Sequence, residues 1–213
     1  MGCQFITALC CMRLLQFFVG GMFVASAMSV FAVADAERGK SLTLVCTACH
    51  GQDGNSVVGT YPNIAGQNEQ YLLKQMLDIK SKARSAPLMA GILDNLDEQQ
   101  LENIAAYYSQ QKLSSGSVDP KLVELGETIY RSGIKRKEIA ACSACHAPDG
   151  SGNGPAAFPV LSGQWPEYTV AQLKAFRSGE RQNDGDARMM RITSMDLSDH
   201  EIEAVASYLF GLH

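Results

Sequence analysis

Two pentapeptides of this 213-residue chain combine residue types and spacing that could do chemistry: Cys46-Thr47-Ala48-Cys49-His50 and Cys142-Ser143-Ala144-Cys145-His146. Cys-x-x-Cys-His is the attachment signature of c-type haem. Two thiols on one helical turn can add across the two vinyl groups of the ring, and the adjacent histidine then lies beneath it with an imidazole nitrogen for the iron. The rival readings are a thioredoxin-like redox pair, a zinc site and a structural disulfide. A redox pair leaves both histidines unexplained. A zinc site would have to join the two motifs, which stand 96 residues apart, one whole domain. The pattern predicts two haem c groups covalently attached at Cys46, Cys49, Cys142 and Cys145, with His50 and His146 on the irons.

The chain that must position them begins with a leader. Residues 14–34 are almost entirely apolar or small, Arg13 is the only charge before Asp35, and Ala32 and Ala34 form an A-x-A end. That is the layout of a secretory signal peptide over 1–34. Its rival is an uncleaved anchor, since the stretch reaches the roughly 20 residues a bilayer needs. Cys3, Cys10 and Cys11 would leave with the leader, and the four motif cysteines remain. A net charge of −4, from 18 basic and 22 acidic residues, gives no footprint for nucleic acid.

Beyond the leader one pattern is written twice. The cysteine motif returns at an offset of 96. Pro62, Ala65-Gly66-Gln67, Tyr71 and Gln75 return as Pro159, Ser162-Gly163-Gln164, Tyr168 and Gln172 at 97. Leu101, Ile104, Ala105, Tyr107 and Tyr108 return as Ile202, Val205, Ala206, Tyr208 and Leu209 at 101. This predicts two tandem domains, 35–113 and 114–213, joined near 111–120 by Ser-, Gly- and Pro-containing linker sequence. Within each, helical periodicity dominates, as over 70–80. Asp97 with Gln100 and Ser198 with Glu201 read as capping boxes opening the last helices. No stretch alternates as a strand would. The fold class is all-α: two small helical domains with long loops, each needing a large apolar group to wrap around.

The motifs, the two Gly-Gln-x-x-x-Tyr-x-x-x-Gln stretches, the Asn183-Asp184-Gly185-Asp186 run and the closing Gly211-Leu212-His213 resemble the dihaem cytochrome c4 family. The resemblance covers essentially the whole exported chain. It implies two class I cytochrome c domains about a pseudo-twofold axis, in a periplasmic or membrane-associated electron carrier. It further implies that the carbonyls of Pro62 and Pro159 bond the second nitrogen of each axial imidazole. For the sixth ligands the spare histidines, His200 and His213, have no counterpart in the first domain. Methionine is the alternative, and it raises the reduction potential. Met76 lies on a helix stripe and reads as core, so Met89, in the irregular segment 85–91, is the first ligand. Met89 precedes Leu96 by seven residues as Met190 precedes Leu197, which selects Met190, with Met189 as the fallback; the family pattern agrees. Met195 reads as packing, as do Tyr107 and Tyr208, set near Gly39 and Gly126.

The implied function is outer-sphere electron transfer with no small-molecule substrate. Its partners are redox proteins: a quinol-oxidising complex, a terminal oxidase or other cytochromes. The alternatives are the cytochrome subunit of a membrane dehydrogenase or oxidase, and a dihaem enzyme such as a peroxidase or a thiosulfate-oxidising cytochrome.

Overall fold

Asp97 and Ser198 start the two helices on which the fold turns. In a computed structural model, which describes residues 33–212, the Gln100 N–H donates to the Asp97 carboxylate at 2.8 Å while the Asp97 N–H donates to the Gln100 side chain at 2.9 Å. Ser198 and Glu201 repeat the reciprocal pair at 3.3 and 2.8 Å. Each box satisfies two N–H groups that a helix start leaves without partners. The leader expected over 1–34 lies, but for its last two residues, outside the described region, and so does His213.

The first half contains α1 (Ala36–Leu42), α2 (Leu44–His50), α3 (Glu69–Lys80) and α4 (Glu98–Ser109). The second contains α5 (Val123–Ser132), α6 (Ser143–His146), α7 (Pro166–Ser178), α8 (Met189–Ser194) and α9 (Asp199–Gly211). Among the described residues there are no β-strands, only isolated bridges at Ile134–Ile139 and Asn153–Phe158. No helix among them is long and apolar enough to cross a membrane.

In each half the first helix crosses the last, α1 on α4 and α5 on α9. Glycine permits the approach. A Cβ on Gly39 would sit 1.9 Å from the Asn103 carbonyl oxygen, and one on Gly126 would sit 2.3 Å from that of Ala204 and 2.6 Å from the Cβ of Tyr208. Tyr208 thus packs at Gly126 as the sequence suggests. At Gly39 the contacts are the backbone of Asn103 and Ile104, and Tyr107 packs instead against the first-half core beside Tyr108, ring centroids 5.1 Å apart. Leu72, Ile104, Ala105 and Tyr108 form that core. The second-half core is larger, running from Ile129 and Tyr130 through Ile134 and Ile139 to Leu212.

Two stretches differ from their sequence impression. Residues 112–119 carry no helix but are pinned by both halves. Asn55 donates to the Lys112 carbonyl and accepts from the Ser114 N–H, while Gly116 and Asp119 donate to Phe210 and Ser207. The second half also carries an insertion, 133–141, between α5 and its motif, where the first half has only Thr43 between α1 and α2. Ile134 and Ile139 bond to each other at 2.9 and 3.2 Å and bury the base of this insertion in the core.

Candidate functional site

The first motif lies within α2 and the second on α6 with Cys142 as its N-cap in helical conformation, so the two cysteines of each, three residues apart, share one face. All four thiols are half-buried and none is in a disulfide. Burial pushes the Cys46 thiol up and that of Cys142 up to about 11. A redox-active pair needs a depressed value and a thiolate; burial moves these two the other way. Among the described residues no three of His, Cys, Asp and Glu converge as a metal cluster.

His50 and His146 are buried, 8% and 7% exposed, and their orientation is fixed by backbone. Nδ1 of His50 lies 2.9 Å from the Pro62 carbonyl oxygen, and Nδ1 of His146 lies 3.1 Å from that of Pro159. A carbonyl can only accept, so Nδ1 carries the proton and the Nε2 lone pair is left for a metal. Burial lowers both pKa values, with the carbonyl bond opposing, so the imidazoles are neutral at pH 7. The loop carrying each proline is folded back by one carbonyl: Gly54 accepts from Ile64 and Ala65, Gly150 from Leu161 and Ser162.

The methionines come from different local structures. Met89 is half-buried at the end of a 3-10 turn, Pro87–Met89, a more regular setting than the sequence suggests. Met190 is half-buried in the first turn of α8, whereas Met189 beside it is 47% exposed. Met195, expected to pack, is 58% exposed: α8 turns Met189, Ile192 and Met195 outward together, because they recur every three residues on one helix face. Met76 packs against the first-half core, and His200 is exposed at the start of α9.

The remaining repeated residues build the face between the halves. Gln67 accepts from the Val160 N–H at 2.7 Å and donates to the Val160 carbonyl at 2.9 Å. Gln164 does the same with Asn63, at 2.9 and 2.8 Å. Asn63 and Val160 are themselves repeat partners, so the contact is isologous, the signature of a twofold relation. Asn68 reaches across to the Phe158 carbonyl, and Trp165 at the same repeat position reaches back to that of Ser56. Tyr71, Gln75, Tyr168 and Gln172 belong to this face too. With them stand Arg84 and Arg181, which the sequence reading passed over although they keep the same offset of 97.

Unbridged thiols on one turn, each followed by a buried neutral imidazole with a free Nε2, fit a covalently attached haem in each half. Two such sites on two similar helical units define a c-type cytochrome with tandem domains. The cytochrome c family model matches residues 36–112 and again 123–212. Cytochrome c4 of Azotobacter vinelandii is 48% identical over 191 residues, covering 85% of this chain and 91% of that protein. The crystal structure of reduced recombinant cytochrome c4 from Pseudomonas stutzeri superposes with a TM-score of 0.83 at 48% identity, covering 84% of this chain and all of that one. A thiosulfate dehydrogenase electron acceptor from Stutzerimonas stutzeri is 34% identical, covering 78% of this chain and 77% of its own length. The chain belongs to the dihaem cytochrome c4 family. It is an electron carrier with two covalent haem c groups.

Proposed function

We propose that this chain works in the periplasm as a two-electron reservoir, passing single electrons from a quinol-oxidising complex toward a terminal oxidase or another cytochrome. In this reading 1–34 is removed on export, and 35–113 and 114–213 are the two redox domains. When bound, each haem supplies one-electron exchange between ferric and ferrous iron. Cys46 with Cys49, and Cys142 with Cys145, tether the rings. His50 and His146 ligate through Nε2 while Pro62 and Pro159 hold Nδ1–H, which fixes ring orientation and makes the ligand more basic. Met89 and Met190 would each give the iron a second protein ligand, a thioether that raises the potential. A histidine and a methionine on each iron would leave no position for a substrate, which is the arrangement of an electron carrier.

The observation that carries the reading is the histidine–proline geometry, repeated at 2.9 and 3.1 Å behind two Cys-x-x-Cys-His motifs. Haem content, redox titration and the far-red methionine-to-iron band test it together. Two haems per exported chain are expected, with Met89→Ala and Met190→Ala each removing about half of the band. Carbon monoxide binding at one haem of the reduced, unmodified protein would overturn it in favour of a dihaem enzyme. The relative named as a thiosulfate dehydrogenase electron acceptor favours a second donor of the same kind of electron. Comparing reduction rates by a quinol-oxidising complex and by a thiosulfate dehydrogenase separates the two.

A further inference from the structure

Of the five methionines beyond residue 34, three stand close together at 189, 190 and 195. An α-helix turns by about 100° per residue, which gives α8 two opposed faces. One carries the half-buried Met190 and the fully buried Ser194, whose hydroxyl donates to the Met190 carbonyl at 2.6 Å. The other carries Met189, Ile192 and Met195, the last as C-cap in helical conformation, at 47%, 59% and 58% exposure. Neither outward methionine is needed to hold the helix in place. Arg191 does that, donating to the Asp184 carboxylate from its backbone N–H at 2.9 Å and from Nε at 2.7 Å. The first half has no such pair. At an offset of 101, Met89 corresponds to Met190, but Leu88 stands for Met189 and Asp94 for Met195.

Apolar side chains scattered singly over a surface need no explanation; three on one face of so short a helix do. What sets this face apart is its sulfur. A thioether yields an electron pair to an electrophilic oxidant and becomes a sulfoxide. The oxygen of a hypohalous acid moves to sulfur, which is oxidised by two electrons, and the halogen leaves as halide with release of a proton. Such attack is nearly as fast as encounter, so exposure decides which thioether reacts. We infer that Met189 and Met195 form a sacrificial pair that intercepts hypohalous acid ahead of Met190, a shield that the second half has and the first lacks. A sulfoxide on the outward face meets only water, whereas one at Met190 would spoil the ligand. This rests on Met190 as the ligand and goes beyond it by giving its methionine neighbours a function.

Limiting hypochlorous acid added to the ferric holoprotein, followed by peptide mass spectrometry, reads where oxygen lands. In the wild type it is expected on Met189 and Met195 first, on Met89 next and on Met190 last. Met189→Leu/Met195→Leu keeps the apolar volume and removes the sulfur. In that variant the ratio of oxygen on Met190 to oxygen on Met89 rises several-fold. The ratio cancels oxidant consumed elsewhere, because Met89 is unshielded in both proteins. The second-half share of the far-red band is then lost at a dose that spares it in the wild type. Leu88→Met, at a position 70% exposed, moves the shield to the first half and lowers oxidation of Met89 relative to Met190. Oxygen on Met190 ahead of Met189 in the wild type would overturn the inference, and so would a ratio that neither variant moves. Peptide mapping does not depend on the band. A full band in Met190→Ala, which marks a failed ligand assignment, is therefore distinct from an unchanged ratio, which marks a failed shield.

Discussion

Behind the first cysteine of each motif stands a buried tyrosine, and the two halves bring it from opposite sides. In the first half Tyr108, on the last helix α4, lies beside Thr43 and Cys46. In the second Tyr130, on the first helix α5, lies beside Cys142. At the repeat position of Tyr108 stands Leu209, and at that of Tyr130 stands Thr43. The crossing of first and last helices has exchanged a large residue for a small one on one side and reversed the exchange on the other, which keeps the volume filled. The motif cysteines and histidines, Pro62 and Pro159, and on the face between the halves Gln67, Tyr71, Gln75 and Arg84 recur unchanged at 96 or 97, although Asn63 and Asn68 of that face are replaced by Val160 and Trp165. What the duplication keeps are the attachment motifs and the glutamines, tyrosines and arginines of the docking face, while the local core exchanges large for small residues at kept volume.

The largest break in this comparison is removal of one haem. Cys46→Ala/Cys49→Ala and Cys142→Ala/Cys145→Ala should each leave one haem per chain. The first pair should also lose more helical circular dichroism, because its half has the smaller apolar core to fall back on. Equal losses would show that the cores do not differ in consequence. Next come the crossings. Gly39→Ala and Gly126→Ala force a methyl into a backbone carbonyl, and each should cost about 3 kcal/mol in denaturant unfolding. Smaller again is the tyrosine exchange. Thr43→Tyr and Tyr108→Leu should each destabilise by about 2 kcal/mol, while the double variant, rebuilt on the plan of the second half, recovers about 1 kcal/mol of their sum. Strict additivity would show that the two positions do not share a volume.

The attachment motifs, the tandem plan, both capping boxes and the helical class were legible in the sequence because each is set by residues close together along the chain. The prolines were legible only through resemblance, since a carbonyl bond made 12 or 13 residues away leaves no mark in residue type. Gly66-Gln67, Tyr71 and Gln75 were visible as repeats without a reason; the reason is the face between the halves, which no single-domain pattern encodes. Arg84 and Arg181 carried the same signal, an equal offset, but lie in segments that otherwise diverge. Met195 misled because a methionine beside a helix cap reads as core, and only the pitch of the short α8 turns it outward.

The smallest effect tests the insertion. Its tip is tied to α9 by Glu201, which accepts from Lys137 at 2.6 Å and Arg136 at 3.2 Å while closing the Ser198 capping box. The first half has neither insertion nor charge there: the same cap position is Gln100. Burial would raise the Glu201 carboxyl, but Lys137 and Ser198 outweigh it and hold the pKa at about 2, against an ordinary 4.5. The unfolded chain therefore takes up the proton first, and this contribution to stability is complete above about 4.5 and lost as pH falls toward 2. Glu201→Gln keeps the box, as Gln100 does, and removes only the ion pairs. It should cost about 0.5–1 kcal/mol at pH 7, with the gap to wild type closing through the acid range in urea unfolding. A gap that stays constant down to pH 2 would mean that shape, not charge, ties the insertion to α9.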